Sequence, residues 1–280
     1  MTDPAPRADD RLRPLAELPD DALAPLLGLL TDIDDTLTTD GALGPAAAAA
    51  LDALAAAGVP VIAVTGRPAG WSEPMARAWP VAAIVAENGA VMLRRDPAAA
   101  DGLRRDFVDD ETTRTAHARR LAACAQDVLA RVPGATLARD SAGRITDIAI
   151  DHSEFAHLDE HRIAQVVAVM REHGLTATVS SIHVNGWLGG HNKWTGAAWA
   201  VQTALGRAFD ANEWLYVGDS TNDQLMFQHM PLAVGVANIA RFVPKLRWLP
   251  GFVTPAERGE GFAELAARLL QARPRNPATR

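Results

Sequence analysis

The sequence predicts an α/β protein: a doubly wound parallel sheet into which a smaller α+β unit is inserted. Three observations carry this. Short apolar runs ending in polar or acidic residues, at 26–34, 59–67 and 81–90, alternate with helical segments in a βαβ rhythm. The rhythm breaks near residue 91 and resumes near residue 188. A chain of 280 residues with 48% hydrophobic content also has material for about two domains.

In chain order, residues 1–24 are rich in Pro, Asp and Arg and are expected to form a loose arm. LLGLLTDID (26–34) reads as a buried parallel strand. GPAAAAALDALAAAG (44–58) reads as a helix, with Pro at its start and Gly at its end. VPVIAVTGR (59–67) is a second strand, WSEPMARAW a short helix, and VAAIVAENGA (81–90) a third strand. The insert, 92–187, opens on a Gly- and Asp-containing loop and a long Ala/Arg helix at about 111–131. Two paired half-buried strands follow, ATLARD and RITDIAID around the turn SAG, then a helix at about 158–173 and one extended stretch, TATVSSIHV. After NGWLGGHNK come a helix, the strand NEWLYVGDS, a helix from TNDQLMFQHM, the strand LAVGVAN, FVT, and an amphipathic helix, GEGFAELAARLLQ. The core is therefore expected at 25–91 and 188–274, with a frayed tail at 275–280.

Composition removes several function classes. Net charge is −7, which argues against a nucleic-acid binder that relies on basicity. No apolar run reaches about 18 residues and no signal-peptide pattern opens the chain, so neither a membrane span nor export is expected, and the default compartment is the cytoplasm. The single Cys124, in a helical setting, excludes an intramolecular disulfide and reads as a buried inert thiol. Of the 27 basic residues only Lys193 and Lys245 are lysines, so a compact ammonium has two candidates in the chain.

Ligands of a doubly wound sheet collect at the carboxyl ends of its strands. The residues there are Asp32 and Asp34, then Thr65, Gly66 and Arg67, then Glu87 and Asn88, and finally Gly218, Asp219, Asn222 and Asp223. Asp32 and Asp34 point to one side if the strand runs that far, and adjacent carboxylates both ionise only with a cation between them. Hard oxygen ligands suit Mg²⁺, with Asp219 as a third acid from a neighbouring strand end; helix capping is the plainer alternative. An EF-hand is excluded, because the position that needs Gly is Leu37. Thr65 offers a hydroxyl and turn N–H groups for a phosphate oxygen, or simply a turn. Lys193 lies in GGHNKWTG, just before a helix. His157 and His161, an i,i+4 pair, have no third ligand nearby in sequence for zinc.

In this order the pieces resemble the haloacid dehalogenase superfamily of phosphohydrolases, over roughly 25–91 and 188–274. Asp32-Ile33-Asp34-Asp35-Thr36 is similar to its DxDxT motif, Thr65 to its second-motif hydroxyl, Lys193 to its third-motif lysine, and Gly218-Asp219-Ser220-Thr221-Asn222-Asp223 to its acidic fourth motif. The insert resembles the superfamily's larger α+β cap, and VTGRP, ENGA and GDSTND resemble its sugar-phosphatase branch. Residue 35 departs from the pattern, being Asp where Gly is commoner, and residue 194 is Trp where many relatives have Gly.

The resemblance implies a Mg²⁺-dependent phosphatase acting on a small phosphorylated metabolite, a sugar phosphate above all. Asp32 is then the nucleophile and Asp34 the general acid and base. Asp32, the Asp34 carbonyl and Asp219 hold the metal, with Asn222 and Asp223 in support. Lys193, Thr65 and Gly66 meet the phosphoryl group. Arg67 binds substrate or pairs with an acid to fix the turn. Asn88 joins the substrate contacts, and His183, Asn185 and His191 are specificity positions if TATVSSIHVNGW faces the core. A phosphomutase is the alternative, since phosphomannomutases resemble the same core and cap, and a non-catalytic metal- or phosphate-binding domain is a third reading. Oligomeric state stays open.

Overall fold

A computed structural model describes residues 12–273. The elements, in chain order, are β1 (Arg13–Pro14), α1 (Asp20–Leu23), β2 (Gly28–Thr31), α2 (Pro45–Ala56), β3 (Val61–Val64), α3 (Ala69–Ala78), β4 (Ala83–Ala86), β5 (Val91–Arg95), β6 (Leu103–Phe107), α4 (Glu111–Arg131), β7 (Thr136–Leu137), β8 (Asp147–Asp151), α5 (Glu160–Glu172), β9 (Thr176–Val179), β10 (His183–Trp187), α6 (Lys193–Leu205), β11 (Trp214–Gly218), α7 (Gln224–His229), β12 (Ala233–Gly235), β13 (Phe252–Val253) and α8 (Arg258–Ala272).

These elements divide into two compact units. The first comprises residues up to 63, 79–82 and 201 onward. Its strands run parallel in the order β1-β13-β12-β11-β2-β3. β2, β3 and β11 are buried at every residue, which is why their sequences are continuous apolar runs with no alternation. α2 begins with Pro45 at its first turn, ends at Gly58 (φ 69°), and packs against α8, whose Phe262, Leu265 and Leu269 are buried.

Two expectations meet a different structure here. The part of the arm inside the described residues is docked: Arg13 and Pro14 pair with β13, and Leu15, Leu18 and Leu23 are buried. Leucines interleaved with Pro and Asp hide their common face from a periodicity reading. Residues 1–11 of the arm and the tail 275–280 lie outside the described residues. Asp32 and Asp34 do not share a strand face either, because β2 ends at Thr31.

The second unit comprises 64–78 and 83–200. β4, β5 and β6 form an antiparallel meander covered by α3. A second sheet, β7-β8-β10-β9, is antiparallel throughout, with α4 and α5 packed on it. Its core joins Leu121, Cys124 and Val128 of α4, Val166 and Met170 of α5, and Ile150 and Val184 of the sheet. Burial pushes the Cys124 thiol up to about 11, so it packs as an inert apolar group. The stretch read as one strand, TATVSSIHV, is a hairpin, with Ser180 N bonding His183 O (2.8 Å) at the turn. Asp110 and Asp159 cap α4 and α5 by accepting from the N–H groups of Thr113 and Arg162.

Candidate active site

In the first unit, β2 and β11 are neighbours with Thr31 opposite Val217, and Asp32 N donates to Val217 O at 2.9 Å. The residues just past the two strand ends, Asp32 and Asp219, are thereby brought together. Asp223 joins them from the start of α7. One carboxylate oxygen from each of Asp32, Asp219 and Asp223 lies within 4.8 Å of the others, and all three residues are buried.

Local geometry gives the three acids different tasks. Asp223 Oδ1 accepts from the Tyr216 hydroxyl, and Oδ2 accepts from the N–H groups of Asp219 (2.9 Å) and Ser220 (3.1 Å). It folds back over Gly218, where a Cβ would stand 2.4 Å from Asp223 Oδ2, so glycine is needed there for space. Asp219 Oδ2 accepts from Asn238 Nδ2 at 3.0 Å, whereas Oδ1 is buried with no hydrogen-bond partner. Burial, then the charges of Asp32, Asp223 and Asp35, push the Asp219 carboxyl well above the ordinary carboxylate range. An orphaned buried acceptor among acids is the setting a hard divalent cation fits. Asp34 is half-buried, and its carboxylate is not in the cluster; the sequence reading placed its carbonyl, not its carboxylate, on the metal. Asn222 Oδ1 accepts from Ser220 Oγ (3.0 Å).

The departure at residue 35 has a physical cause. Asp35 has φ 57°, the left-handed conformation that glycine adopts without cost. Its carboxylate is held by Arg241 (3.0 Å) and Arg258 (3.2 Å), and its carbonyl accepts from Asn238 Nδ2 (2.9 Å). Asn238 therefore ties the first-motif loop to Asp219. No motif flagged it, since it lies 203 residues from Asp35 in sequence.

In the second unit, the turn after β3 and the turn after β4 are zipped together: Thr65 N bonds Val85 O (2.8 Å), Asn88 N bonds Thr65 O (2.9 Å) and Glu87 N bonds Arg67 O (3.0 Å). Thr65 Oγ1 accepts from Arg67 N at 3.0 Å. Glu87 and Asn88 both have positive φ, and the buried Glu87 carboxylate accepts from the N–H groups of Ala69, Ile145 and Thr146 and from the Thr146 hydroxyl. Gly89 (φ 113°) lets the start of α6 approach: a Cβ there would stand 2.3 Å from Asn192 O, and one at Gly196 would stand 2.5 Å from Gly89 Cα. This contact fixes Lys193, the first residue of α6, which is only 3% exposed. A cation at a helix N-terminus opposes the helix dipole, so helix stability does not explain it.

Glu154, Arg67, Asp140, Arg144 and Asp147 form one chain of alternating charge, with the His183 ring against Glu154 at one end. Arg67 meets Glu154 (2.9 Å) and Asp140 (3.1 Å) and lies over the Trp71 ring, which is the turn-fixing alternative of the sequence reading. His183 Nε2 lies 2.9 Å from Glu154 Oε2. Arg144 grips Asp147 with a fork (2.8 and 2.9 Å), and Asn88 and Asn185 reach the same carboxylate. Burial pushes the Asp147 carboxyl up to about 7 against the pull of Arg144, yet every one of these partners donates to it, the pattern of a carboxylate. Thus Thr65, Gly66, Arg67, Asn88, His183 and Asn185 gather in one network. His191 does not join it: its ring stacks on Trp187 and faces Asp109 and His117.

Residues 29–116 match the family described as haloacid dehalogenase-like hydrolase. A protein of Thermoplasma acidophilum aligns over 88% of this chain and 99% of its own, at 17% identity and a TM-score of 0.67. The sucrose-phosphatase of Synechocystis, solved with sucrose and phosphate, covers 88% and 98% at 17% identity and TM-score 0.62. The C-terminal domain of Candida albicans trehalose-6-phosphate phosphatase covers 93% and 98% at 14% identity and TM-score 0.64. The fold is haloacid dehalogenase-like. The superfamily resemblance read from the four motifs is borne out at that level. A search of curated proteins finds no sequence match.

Within this haloacid dehalogenase-like frame, the sequence reading missed Asn238, Asp140, Arg144, Asp147 and Glu154. One signal was present: Asp147 and Asp151 bracket the apolar IAI, and an acid at the start of a buried strand requires a partner. No helix among the described residues is long and apolar enough to cross a membrane.

Proposed function

We propose that the chain is a Mg²⁺-dependent phosphomonoester hydrolase that works through an aspartyl-phosphate on a small phosphorylated metabolite, a sugar phosphate above all. The observation that carries the reading is the buried cluster Asp32–Asp219–Asp223 with its orphaned Asp219 oxygen. An all-oxygen donor set of this kind supports Mg²⁺, held by Asp32, the Asp34 carbonyl and Asp219. When bound, the ion supplies positive charge to phosphoryl oxygens that would otherwise repel an attacking carboxylate.

In this reading Asp32 attacks phosphorus, the phosphorus–oxygen ester bond breaks, and Asp34 gives its proton to the departing oxygen. Asp34 then accepts a proton from the water that hydrolyses the aspartyl-phosphate, which restores both carboxyl groups. Asp223, its oxygens taken by Tyr216 and two N–H groups, orients the turn that carries Asp219. Lys193 neutralises the phosphoryl group, and Thr65 and Gly66 bind its oxygens. Residues 92–187 serve as the cap on a core of 25–91 and 188–274, and the reaction belongs to the cytoplasm.

The names of the two sugar-phosphate phosphatases support the substrate class by likeness of fold. A phosphate-release screen over sugar, glycerate, nucleotide and aryl phosphates, with Mg²⁺ and with EDTA, tests the reading. Mg²⁺-dependent release, strongest with sugar phosphates and needing no bisphosphate activator, is the expected result; release from none of them refutes it.

A further inference from the structure

The first-motif loop carries a carboxylate that the hydrolase reading does not use. Asp35 holds a left-handed conformation (φ 57°) that glycine would take without cost. Its side chain pairs with two arginines: Arg241 Nη2 donates to Oδ2 at 3.0 Å, and Arg258 Nε lies 3.2 Å from Oδ1. Arg258 is itself left-handed (φ 53°) and also meets Asp40, at 2.8 Å, whose φ is 50°. Three of the five non-glycine residues with positive φ among the described residues therefore sit in one ion-pair cluster. Backbone cost gathered in this way beside a functional site is held there by what the side chains do.

Arg241 differs from Arg258 in having a second acid within reach. The same nitrogen that donates to Asp35 lies 3.5 Å from Asp219 Oδ2. That oxygen already accepts from Asn238 Nδ2 (3.0 Å), while Asp219 Oδ1 has no hydrogen-bond partner. Two acids thus compete for one guanidinium, and the hydrogen bond goes to Asp35. The Arg241 side chain is 47% exposed, so it can shift without opening the core, whereas that of Asp219 is 1% exposed. Water screens an ion pair least at a buried carboxylate, so a guanidinium released from Asp35 would be drawn to Asp219. A guanidinium cannot shed its charge, and one seated on Asp219 would oppose a second cation there.

We propose that Asp35 is a positioning residue that diverts the Arg241 guanidinium from Asp219 and so keeps the Asp219 carboxylate available to a divalent cation. This inference rests on the hydrolase reading above, which gives Asp219 to Mg²⁺. It assigns the departure at residue 35 to control of metal affinity.

Calorimetric titration of the full chain with MgCl₂, without substrate, tests it. Asp35→Gly suits φ 57° and keeps the backbone carbonyl that Asn238 holds. The variant is expected to weaken the Kd for Mg²⁺ by roughly tenfold. Adding Arg241→Met should recover most of that loss, because the competing cation is gone. Adding Arg258→Met instead should recover little, since Arg258 pairs with Asp35 and Asp40 and not with Asp219. A merely structural role for Asp35 predicts the same loss with and without Arg241, and a plain loss of nearby negative charge predicts equal recovery from removing either arginine. Both outcomes overturn the proposal. If Asp35→Gly loosens the loop, Asp35→Asn, neutral and of the same size, takes its place with the same expectations. Absence of Mg²⁺ binding by the wild type refutes the metal reading, and the inference falls with it. Wild-type binding that both residue 35 variants leave unchanged overturns the inference alone.

Discussion

Replacing Asp219 with Asn tests whether the acidic cluster is built for a cation. The three carboxylates approach within 4.8 Å. At that separation, with an effective dielectric of about 20, each ionised pair repels by roughly 3.5 kcal/mol. Asp219 takes part in two such pairs, so with all three groups ionised its own share is roughly 7 kcal/mol. Proton uptake relieves part of it, and holding the Asp219 carboxyl protonated at neutral pH costs at most about 4 kcal/mol relative to a carboxyl of ordinary pKa. Asp219→Asn removes that cost and puts a donor where the orphaned oxygen now sits. In EDTA the variant should therefore melt above the wild type, by roughly 2–4 °C for each kcal/mol relieved in a chain of this size. Mg²⁺ at about a hundred times its Kd should stabilise the wild type by about 2.7 kcal/mol, and the variant should lose most of that gain. Thermal denaturation of both proteins, with EDTA and with Mg²⁺, reads both effects. A variant that melts lower in EDTA and keeps the full Mg²⁺ shift would refute the reasoning.

Lys193→Arg should lower kcat by roughly 10²–10³, because a planar fork does not replace a point ammonium at a phosphoryl group; phosphate-release kinetics near wild type would remove Lys193 from that role. Gly89→Ala should destabilise the protein by about 2 kcal/mol or more, since alanine meets both φ 113° and Asn192 O, and a denaturant titration measures it. His183 and Arg67 hold the Glu154 carboxyl down at about 2 from an ordinary 4.5. The stabilisation from Glu154 is therefore present above pH 4.5 and is lost as pH falls through about 2. Glu154→Gln should flatten the acid limb of the stability profile over that window, and an unchanged limb would show that Glu154 does not set it.

How much of this could be read beforehand depended on the range of the interactions. The strand ends and the acids after them were legible because apolar runs and turn residues are local signals. Asp35 was legible only as an anomaly, because its φ and its two arginine partners come from the fold. Asn238 and the Arg144–Asp147 pair were not legible, since each acts on residues 59 to 203 positions away. The leucines of residues 15–23 were lost among charges and prolines, where a docked segment and a loose one have similar composition. Asn185 was found for its place on an extended segment. Its hydrogen bonds to Asp147 and to the Gly66 carbonyl, 38 and 119 positions away, became visible only in the fold.

The central claim is that Asp32 becomes phosphorylated during turnover. Rapid quench of the wild-type protein with an aryl phosphate and Mg²⁺, followed by peptide mass spectrometry, should find an acid-stable, base-labile phosphoryl group on the peptide that carries Asp32. Asp32→Asn should show neither that adduct nor phosphate release, with its fold unchanged by circular dichroism. Phosphate release at the wild-type rate from Asp32→Asn, or an adduct on any other residue, would contradict the account.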